Sequence, residues 1–426
     1  MAILEAGRKN IVVLGAGFGG ITALLNLYRR MKRENLFPRF NLVLVSKTSH
    51  HLYTPALYEI ASIPKGEADI VCLNTAICVQ VEDIIGRFPE IRFLGETVSG
   101  LDPHSRLITF ASENQIAFEY AVVALGSETN FFNIPGLEET AYPVKTFEDA
   151  VRLRNRVEEL IRKAPERLRI IVGGAGATGV ELSAEFVNYL CYLKERIRQG
   201  KCQEEITLLE AAPEILPGFS PGVIARTKRR LKKLSVRILT DAVVEKVSPT
   251  TIQLKDDRNL PYDILVWSGG VKPARVLKNF GLVLDKKGGI VVNEFLQAKM
   301  QQSVATREPR VYAVGDNASF THPKTKKPLP GNVPVAESEA HAAARNTVAA
   351  ITGEPPHPFR PLASYPFILA VGGKYAVTDL VIVKFFGLLG WMLKQVVELR
   401  YLLFILPAGR AIRMWLRTVY YSTVND

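Results

Sequence analysis

A chain of 426 residues, 47% hydrophobic and 23% charged, is long enough for two or three domains with separate cores, and its composition excludes a disordered or fibrous protein. No run of 18 apolar residues marks a membrane-spanning helix. The net charge of +12 points to an anionic partner surface, such as nucleic acid, a dinucleotide or acidic lipid, or equally to a soluble enzyme with scattered lysines.

Near the N-terminus, Glu5, Arg8 and Lys9 precede an apolar stretch of only Ile11 to Leu14, too short for a secretory leader. Lys9 to Leu14 is a predicted strand. Gly15-Ala16-Gly17-Phe18-Gly19-Gly20 follows at once, and Ile21 to Met31 has helical periodicity. The pattern returns later. Leu168 to Val172 is a predicted strand, Gly174-Ala175-Gly176-Ala177-Thr178-Gly179 follows, and Val180 to Lys194 reads as a helix. Strand, G-x-G-x-x-G and helix form the dinucleotide-binding fingerprint in its proper context. The first glycine permits the tight turn, the second admits the pyrophosphate and the third lets helix and strand pack. The helix N-terminus offers free N–H groups and partial positive charge to phosphates.

After each fingerprint a further strand should end in an acid that holds the adenosine ribose. Ile206 to Leu209 ends at Glu210, with no cation directly after it, so the second site favours NADH over NADPH. Asn41 to Val45 ends instead at Ser46, followed by Lys47. Each unit then closes on a buried strand that reaches glycine, Phe118 to Gly126 in the first and Tyr262 to Gly270 in the second. Arg310 to Asp316 is a strand ending in Gly315-Asp316; its carboxylate can hold a polyhydroxyl chain or cap the next helix. Pro334 to about Ala350 is a predicted helix with proline in its first turn. The cysteines Cys72, Cys78, Cys191 and Cys202 form no C-x-x-C pair. They signal no metal site and no adjacent redox disulfide, and they fit a reducing compartment. From Val381 the composition turns apolar and aromatic. Phe385 to Val397 and Tyr401 to Leu406 form two apolar stretches. Arg410, Arg413 and Arg417 then recur at helical spacing, opposite Ile412, Trp415, Leu416 and Val419. Such a segment suits a membrane interface with acidic head groups, or a helical hairpin packed on its own domain or on a second subunit.

In this order the pieces resemble the two-dinucleotide-binding-domain flavoprotein reductases, and more closely the type II NADH:quinone oxidoreductases. The likeness rests on His51-Leu52-Tyr53-Thr54-Pro55-Ala56-Leu57-Tyr58, on Gly126 to Gly136, on Thr178-Gly179-Val180-Glu181-Leu182 and on Val144 to Ala150. It implies an α/β fold with two Rossmann-like domains, for FAD and NADH, and a C-terminal amphipathic helical segment that anchors to a membrane. The expected divisions are 1–145 and 269–355 for the FAD domain, 146–268 for the NADH domain and 356–426 for the anchor or dimer region.

The resemblance implies residue roles. Gly15, Gly17, Phe18, Gly19 and Gly20 would hold the FAD pyrophosphate, and Ser46 and Lys47 would stand at its ribose. Thr54 and Pro55 would lie beside the isoalloxazine, with Ala124 and Gly126 also lining the cofactor. Gly315 and Asp316 would hold the ribityl, and Val335 and Ala336 would lie where a helix dipole meets the flavin pyrimidine edge. Gly174, Gly176, Ala177, Thr178 and Gly179, with Gly269 and Gly270, would hold NADH. Glu181 would sit at the nicotinamide and Glu210 at the adenosine ribose. A family quinone pattern, A-Q-x-A-x-Q, corresponds to Ala336-Glu337-Ser338-Glu339-Ala340-His341, a departure in which Glu337 and His341 replace both glutamines. Glu337 and His341 then become a candidate proton relay at the quinone, with a surface pair of helix residues as the bland alternative. The implied partners are NADH, a membrane quinone, an acidic lipid surface and a second copy of the chain, without nucleic acid. The implied location is the cytoplasmic face of a bacterial plasma membrane. Two other readings share the fingerprints: a soluble reductase of an iron–sulfur or haem protein, and a flavin- and NADH-binding redox sensor.

Overall fold

The computed structural model describes residues 7–163, 167–196, 204–301 and 310–424. Cys202 and part of the stretch read for a leader lie outside these residues. The strands of the two large sheets are, in chain order, β1 (Lys9–Leu14), β2 (Phe40–Val45), β3 (Ile91–Leu94), β4 (Tyr120–Val123), β5 (Tyr142–Pro143), β6 (Arg169–Gly173), β7 (Glu205–Leu209), β8 (Arg237–Leu239), β9 (Ile264–Trp267) and β10 (Val311–Ala313). The helices that matter for the site are α1 (Phe18–Arg33), α2 (Leu57–Ile60), α3 (Ile70–Ile77), α4 (Ala177–Arg196), α5 (Val333–Thr352), α6 (Leu388–Ile405) and α7 (Ala408–Tyr421).

One compact unit comprises Met1–His51, Val79–Glu128 and Val271–Tyr365. Its sheet has the order β10-β4-β1-β2-β3, every pairing parallel. A parallel sheet covered on both faces needs continuous apolar strands. Accordingly, all six residues of β2 (FNLVLV) and all four of β4 (YAVV) are buried. Helices α1 and α5 pack along each other on small residues: a side chain at Gly19 would already meet Ala336. Arg30, Lys32 and Arg33 occupy the last turn of α1, where the helix dipole favours cations.

The other unit comprises Leu52–Cys78, Thr129–Gly270 and Pro366–Asp426. Its sheet, β5-β9-β6-β7-β8, is again parallel. The two units follow one plan. In each, a central strand leads through the glycine turn into a helix, two further parallel strands follow, and a three-stranded antiparallel meander precedes the next. The meander is Val98–Asp102, Leu107–Phe110 and Gln115–Ala117 in one, and Val244–Ser248, Thr251–Leu254 and Asn259–Pro261 in the other.

The compact units divide the chain elsewhere than the sequence boundaries do. Residues 52–78 and 366–426 are contiguous in packing with the second dinucleotide-binding unit. The C-terminal segment also starts differently. Phe385 and Phe386 lie in the strand Lys384–Gly387, and the two apolar stretches join into the single helix α6. Pro407 then opens α7. Helix α7 buries Ala411, Met414, Thr418 and Tyr421, a stripe at helical spacing. Its exposed side carries Ile412, Leu416 and Tyr420 directly beside Arg410, Arg413 and Arg417. No helix among the described residues is long and apolar enough to cross a membrane. Cys72 and Cys78 are free thiols, whereas Cys191 is disulfide-bonded, a link that the cysteine spacing did not announce.

Candidate functional site

The glycine turn of the first unit leaves β1 at Gly15, whose φ of +106° only glycine adopts readily. A side chain there would strike the Ala124 carbonyl, and one at Gly20 would strike the carbonyl of Gly15. Gly17 differs: a Cβ would meet nothing within 4 Å. Its φ is −77°, and as the N-cap of α1 it has no side-chain capping bond, with no acid in the first turn. The first N–H groups of α1 therefore face open space beside Gly17, a cradle fit for a pyrophosphate. The turn is braced by His51, which is fully buried and donates through Nδ1 to the Ala16 carbonyl at 2.8 Å. Burial drives the His51 pKa down to about 4, so the ring is neutral. Its ring also meets Phe18 edge-on at 4.9 Å.

The second unit repeats these relations. Gly174 has φ +93° and abuts Gly269, and Gly179 abuts the Gly174 carbonyl. Gly176 is as open as Gly17. Ser268 Oγ donates to the carbonyls of Gly173 and Gly174 at 3.1 and 2.9 Å, which pins the strand bearing Gly269 and Gly270 to the turn. Ala177 and Thr178 begin α4 in a first turn without an acid. Glu210 lies across this turn: Oε2 accepts the Ala175 N–H at 2.7 Å and Oε1 accepts that of Ala212 at 2.9 Å. Its remaining lone pairs can accept two ribose hydroxyls.

Ser46 holds in the first unit the place that Glu210 holds in the second: Gly15 N–H bonds the Val45 carbonyl as Gly174 N–H bonds that of Leu209, but Ser46 offers no carboxylate there. It is buried, and its hydroxyl stays in its own loop, accepting the Thr48 N–H at 3.3 Å. Lys47 is exposed beside it. Around Gly126, the backbone N–H and carbonyl pair with the fully buried side chain of Asn317 at 3.1 and 2.6 Å. Asp316 accepts from Ser127 Oγ, and Gly315 N–H donates to Glu339 at 2.6 Å. Glu339 is 1% exposed, and burial raises its pKa to about 8, with Asp316 adding to the rise. Its sequence context shows only a helix pattern, because its partner Gly315 lies 24 residues away. Asn332 caps α5 by accepting the Val335 N–H at 3.0 Å, which leaves Ala336 against Gly19 and Gly315.

Glu337 and His341, read as a relay, lie on α5 apart from the side that meets the glycine turn. At 100° per residue, His341 stands about 200° round α5 from Glu339, on the side away from Gly19 and Gly315. It opens onto a different pocket, with Arg30 and Arg345. Glu337 also lies off the buried stripe of Val335, Glu339, Ala340 and Ala343.

In the second unit the structure assembles a buried charge cluster. Thr54 and Pro55 form a short 3-10 turn that runs straight into α2. At the end of α2, Glu59 is 4% exposed and its Oε1 accepts from Lys394 Nζ of α6 at 2.7 Å and from Tyr58 Oη at 2.9 Å. Lys394 also stands 3.9 Å from Glu398, which is 1% exposed. Glu181 of α4 joins them. Its Oε1 accepts weakly from the Ala370 N–H at 3.4 Å, and burial raises its pKa to about 8 against the pull of Lys394. Burial likewise raises Glu398. Burial works to lower Lys394, yet Glu59 and Glu398 carry it well above the ordinary lysine range. The desolvation of Glu181 outweighs the attraction of Lys394, so Glu181 keeps its proton at neutral pH. Of these residues only Glu181 was singled out in the sequence. The other acids and Lys394 lack a local signal, because Glu59 and Lys394 meet across 335 positions. Among the described residues no cluster of His, Cys, Asp and Glu is arranged to hold a metal.

The family model for pyridine nucleotide-disulphide oxidoreductases matches residues 9–340. The type II NADH:quinone oxidoreductase Ndh of Mycobacterium tuberculosis is 29% identical over 423 residues, 93% of this chain and 85% of that protein. The related NdhA of the same organism is 28% identical over 335 residues, 73% of this chain and 66% of that protein, just under two thirds of its length. In fold the chain is similar to NDH2 of Plasmodium falciparum solved with NADH, with a TM-score of 0.78 at 18% identity over 98% of this chain and all of that one. Two glycine cradles on two parallel sheets, with a family match over most of the sequence, place the chain in the pyridine nucleotide-disulphide oxidoreductase family.

Proposed function

We propose that the protein is an NADH:quinone oxidoreductase that works through FAD held by the Gly15–Gly20 turn. The observation that carries this reading is the pair of open cradles at Gly17 and Gly176, one in each unit, joined with similarity to type II NADH:quinone oxidoreductases. Bound FAD would supply the redox chemistry, taking two electrons as hydride and releasing them to quinone. The chain's own part is to bind, orient and protonate. Gly15, Gly17, Phe18, Gly19, Gly20, Ala124, Gly126, Gly315, Asp316, Val335 and Ala336 of the first unit would hold the cofactor. The first turn of α5 directs its positive dipole end from Val335 and Ala336, typically worth about 0.3–2 kcal/mol to a negative pyrimidine edge. Gly174 to Gly179, Glu210, Gly269 and Gly270 would hold NADH, and Glu210 disfavours a 2′-phosphate by charge.

A quinone takes up two protons as it is reduced. Glu181 is the group suited to deliver them, since its raised pKa of about 8 keeps it protonated at neutral pH. In this reading Glu181 takes the role that the sequence gave to Glu337 and His341.

Membrane attachment is argued from the second unit's surface. Ile382 is 92% exposed, Leu389 63%, Val396 60% and Leu416 55%, far from the ordinary state of large apolar side chains. Exposed Arg413 beside Ile412 and Leu416 makes α7 suited to an anionic lipid surface, where each basic residue contributes about 1 kcal/mol. This surface disfavours a soluble reductase. The cytoplasmic face of a plasma membrane and a homodimer remain parts of the proposal. The decisive experiment is the visible spectrum of the purified protein under anaerobic titration. NADH should bleach a flavin band, and menaquinone or ubiquinone analogues should restore it. A colourless protein that FAD does not reconstitute, or bleaching that neither quinone reverses, overturns the reading.

A further inference from the structure

A pocket of about 520 Å³ lies within the first unit, on the surface of α1 and α5, and the proposed redox function makes no use of it. Arg30 of α1, Arg345 of α5 and Arg360 of the following loop line it, with His341, His357 and Ser338. None of its lining residues is acidic. Arg30 stands 13 residues beyond Gly17, about 20 Å along α1, so the pocket is separate from the glycine cradle.

Three observations mark it as a built site. First, Arg345 Nε is buried and has no hydrogen-bond partner among the described residues. A guanidinium N–H buried without an acceptor costs free energy that an arriving anion would recover. Second, no ion pair joins Arg30, Arg345 or Arg360 to a carboxylate among the described residues; the nearby Glu34 is taken by Arg33 Nε at 2.7 Å. The positive charges act on one another instead. Burial and then neighbouring arginines lower both Arg30 and His341. Third, the outer wall is preorganised. It runs through Pro355, Pro356, His357, Pro358, Phe359, Arg360 and Pro361, whose rings fix four φ angles. Asn346, 1% exposed, clamps His357 by both its amide groups at 2.9 Å. Phe359 N–H donates to the Glu294 carbonyl at 2.7 Å, and the buried Phe359 ring sits edge-on to Phe320 at 5.2 Å.

Three guanidiniums from three elements line one pocket and match a compact polyanion, and their planar forks suit phosphate oxygens. The volume exceeds what inorganic phosphate fills, and Pro358 and Phe359 offer an apolar wall to an organic body. We propose that this pocket binds an organic phosphate monoester, with Arg30, Arg345 and Arg360 holding the phosphate. The phosphate belongs either to a soluble ester or to a lipid headgroup.

Isothermal titration of the flavin-loaded protein with phenyl phosphate tests this. Saturable binding at one site is expected, weakened at least tenfold in the Arg30→Gln, Arg345→Gln double variant. Arg360→Gln, on the exposed loop, should weaken it several-fold and keeps the test open if the double variant does not fold. Turnover of NADH with a soluble quinone should be unchanged in these variants when no phosphate ester is present. Vesicles of phosphatidylcholine with and without phosphatidic acid separate the sources. Loss of phosphatidic-acid-dependent binding in the same variants assigns the headgroup, and its retention alongside lost phenyl phosphate binding assigns the soluble ester. No saturable binding to the wild type, or affinities within twofold of it in the Arg variants, overturns the proposal. Inorganic phosphate bound as tightly as phenyl phosphate overturns the organic part of the assignment.

Discussion

Glycines 15, 17, 20, 174, 176 and 179 were legible in the sequence because their constraint is local: a turn, a close approach and a helix start within six residues. His51 and Glu181 were legible only as parts of a family pattern, and their physics needed the fold. His51 reaches back 35 residues to hold Ala16, and burial keeps it neutral. Its native pKa of about 4 lies below the ordinary value of 6.5 that it regains on unfolding. The unfolded chain thus binds a proton that the native chain refuses. The stability gained from a neutral His51 is complete above pH 6.5 and is lost as pH falls towards 4, about 3 kcal/mol over the interval. His51→Asn, which keeps a donor but cannot titrate, should flatten this acid limb in thermal unfolding measured from pH 7 to 5. An unchanged limb would remove His51 as its source. Glu181 makes the opposite demand on pH. As a proton donor with a pKa of about 8, it should sustain quinone reduction below pH 8 and fail above it. Glu181→Gln should lower kcat for quinone by about a hundredfold or more and abolish that alkaline limb, while ferricyanide reduction, which needs no protons, is spared. Equal losses with both acceptors would place Glu181 in hydride transfer instead.

At the level of elements, the periodic pattern located α1, α4 and α5 to within a few residues, because each has a buried stripe and an abrupt glycine or proline start. The C-terminal helices were harder to read. Apolar residues in α6 point in several directions, some into the unit and some to its surface, so periodicity gave no clear face. Helix α7 has three stripes: a buried one, an apolar exposed one and an arginine one. The sequence showed only the last two, as opposite faces. Three stripes mean that the helix is anchored to its own unit, through α3 and α6, and still offers apolar surface outward. The Thr418 hydroxyl reaches the Ala76 carbonyl of α3 at 3.5 Å, and Trp415 Nε1 donates to the Gln395 carbonyl of α6 at 2.9 Å, so α7 can be altered on its outer side without loss of its seat. Ile412→Glu with Leu416→Glu should therefore preserve the unfolding temperature and turnover with a water-soluble quinone. Cosedimentation with anionic vesicles should fall at least tenfold, since each large apolar side chain withdrawn from water is worth about 1.5–3 kcal/mol. Wild-type protein left wholly in the supernatant would end the membrane reading.

For the whole molecule, duplication is the governing fact, and it was readable because both fingerprints stand between a strand and a helix. The repeated meander was not, since short antiparallel strands such as Gln115–Ala117 and Asn259–Pro261 carry little periodic signal; the sheets match over four strands and differ at one edge, where β10 comes last in its unit and β5 first. The buried cluster around Lys394 was also out of reach, because it joins α2, α4 and α6 from three distant parts of the chain. Duplication further makes the two half-reactions separable by one kind of mutation. Gly17 has a negative φ, Gly176 is absent from the positive-φ glycines, and neither position has an atom within 4 Å of a built Cβ. Alanine at either position should thus fold normally, in contrast to alanine at Gly15 or Gly174, where a carbonyl or a neighbouring glycine blocks it. The added methyl group would occupy the approach of the pyrophosphate alone. Gly17→Ala should weaken FAD retention at least tenfold, about 1.4 kcal/mol, and yield a partly colourless protein that regains activity with excess FAD. Gly176→Ala should stay fully yellow, raise the KM for NADH at least tenfold, and leave quinone reoxidation of the chemically reduced protein unchanged. Loss of flavin from both variants, or from neither, would mean that the two turns do not divide the cofactor and the substrate between them.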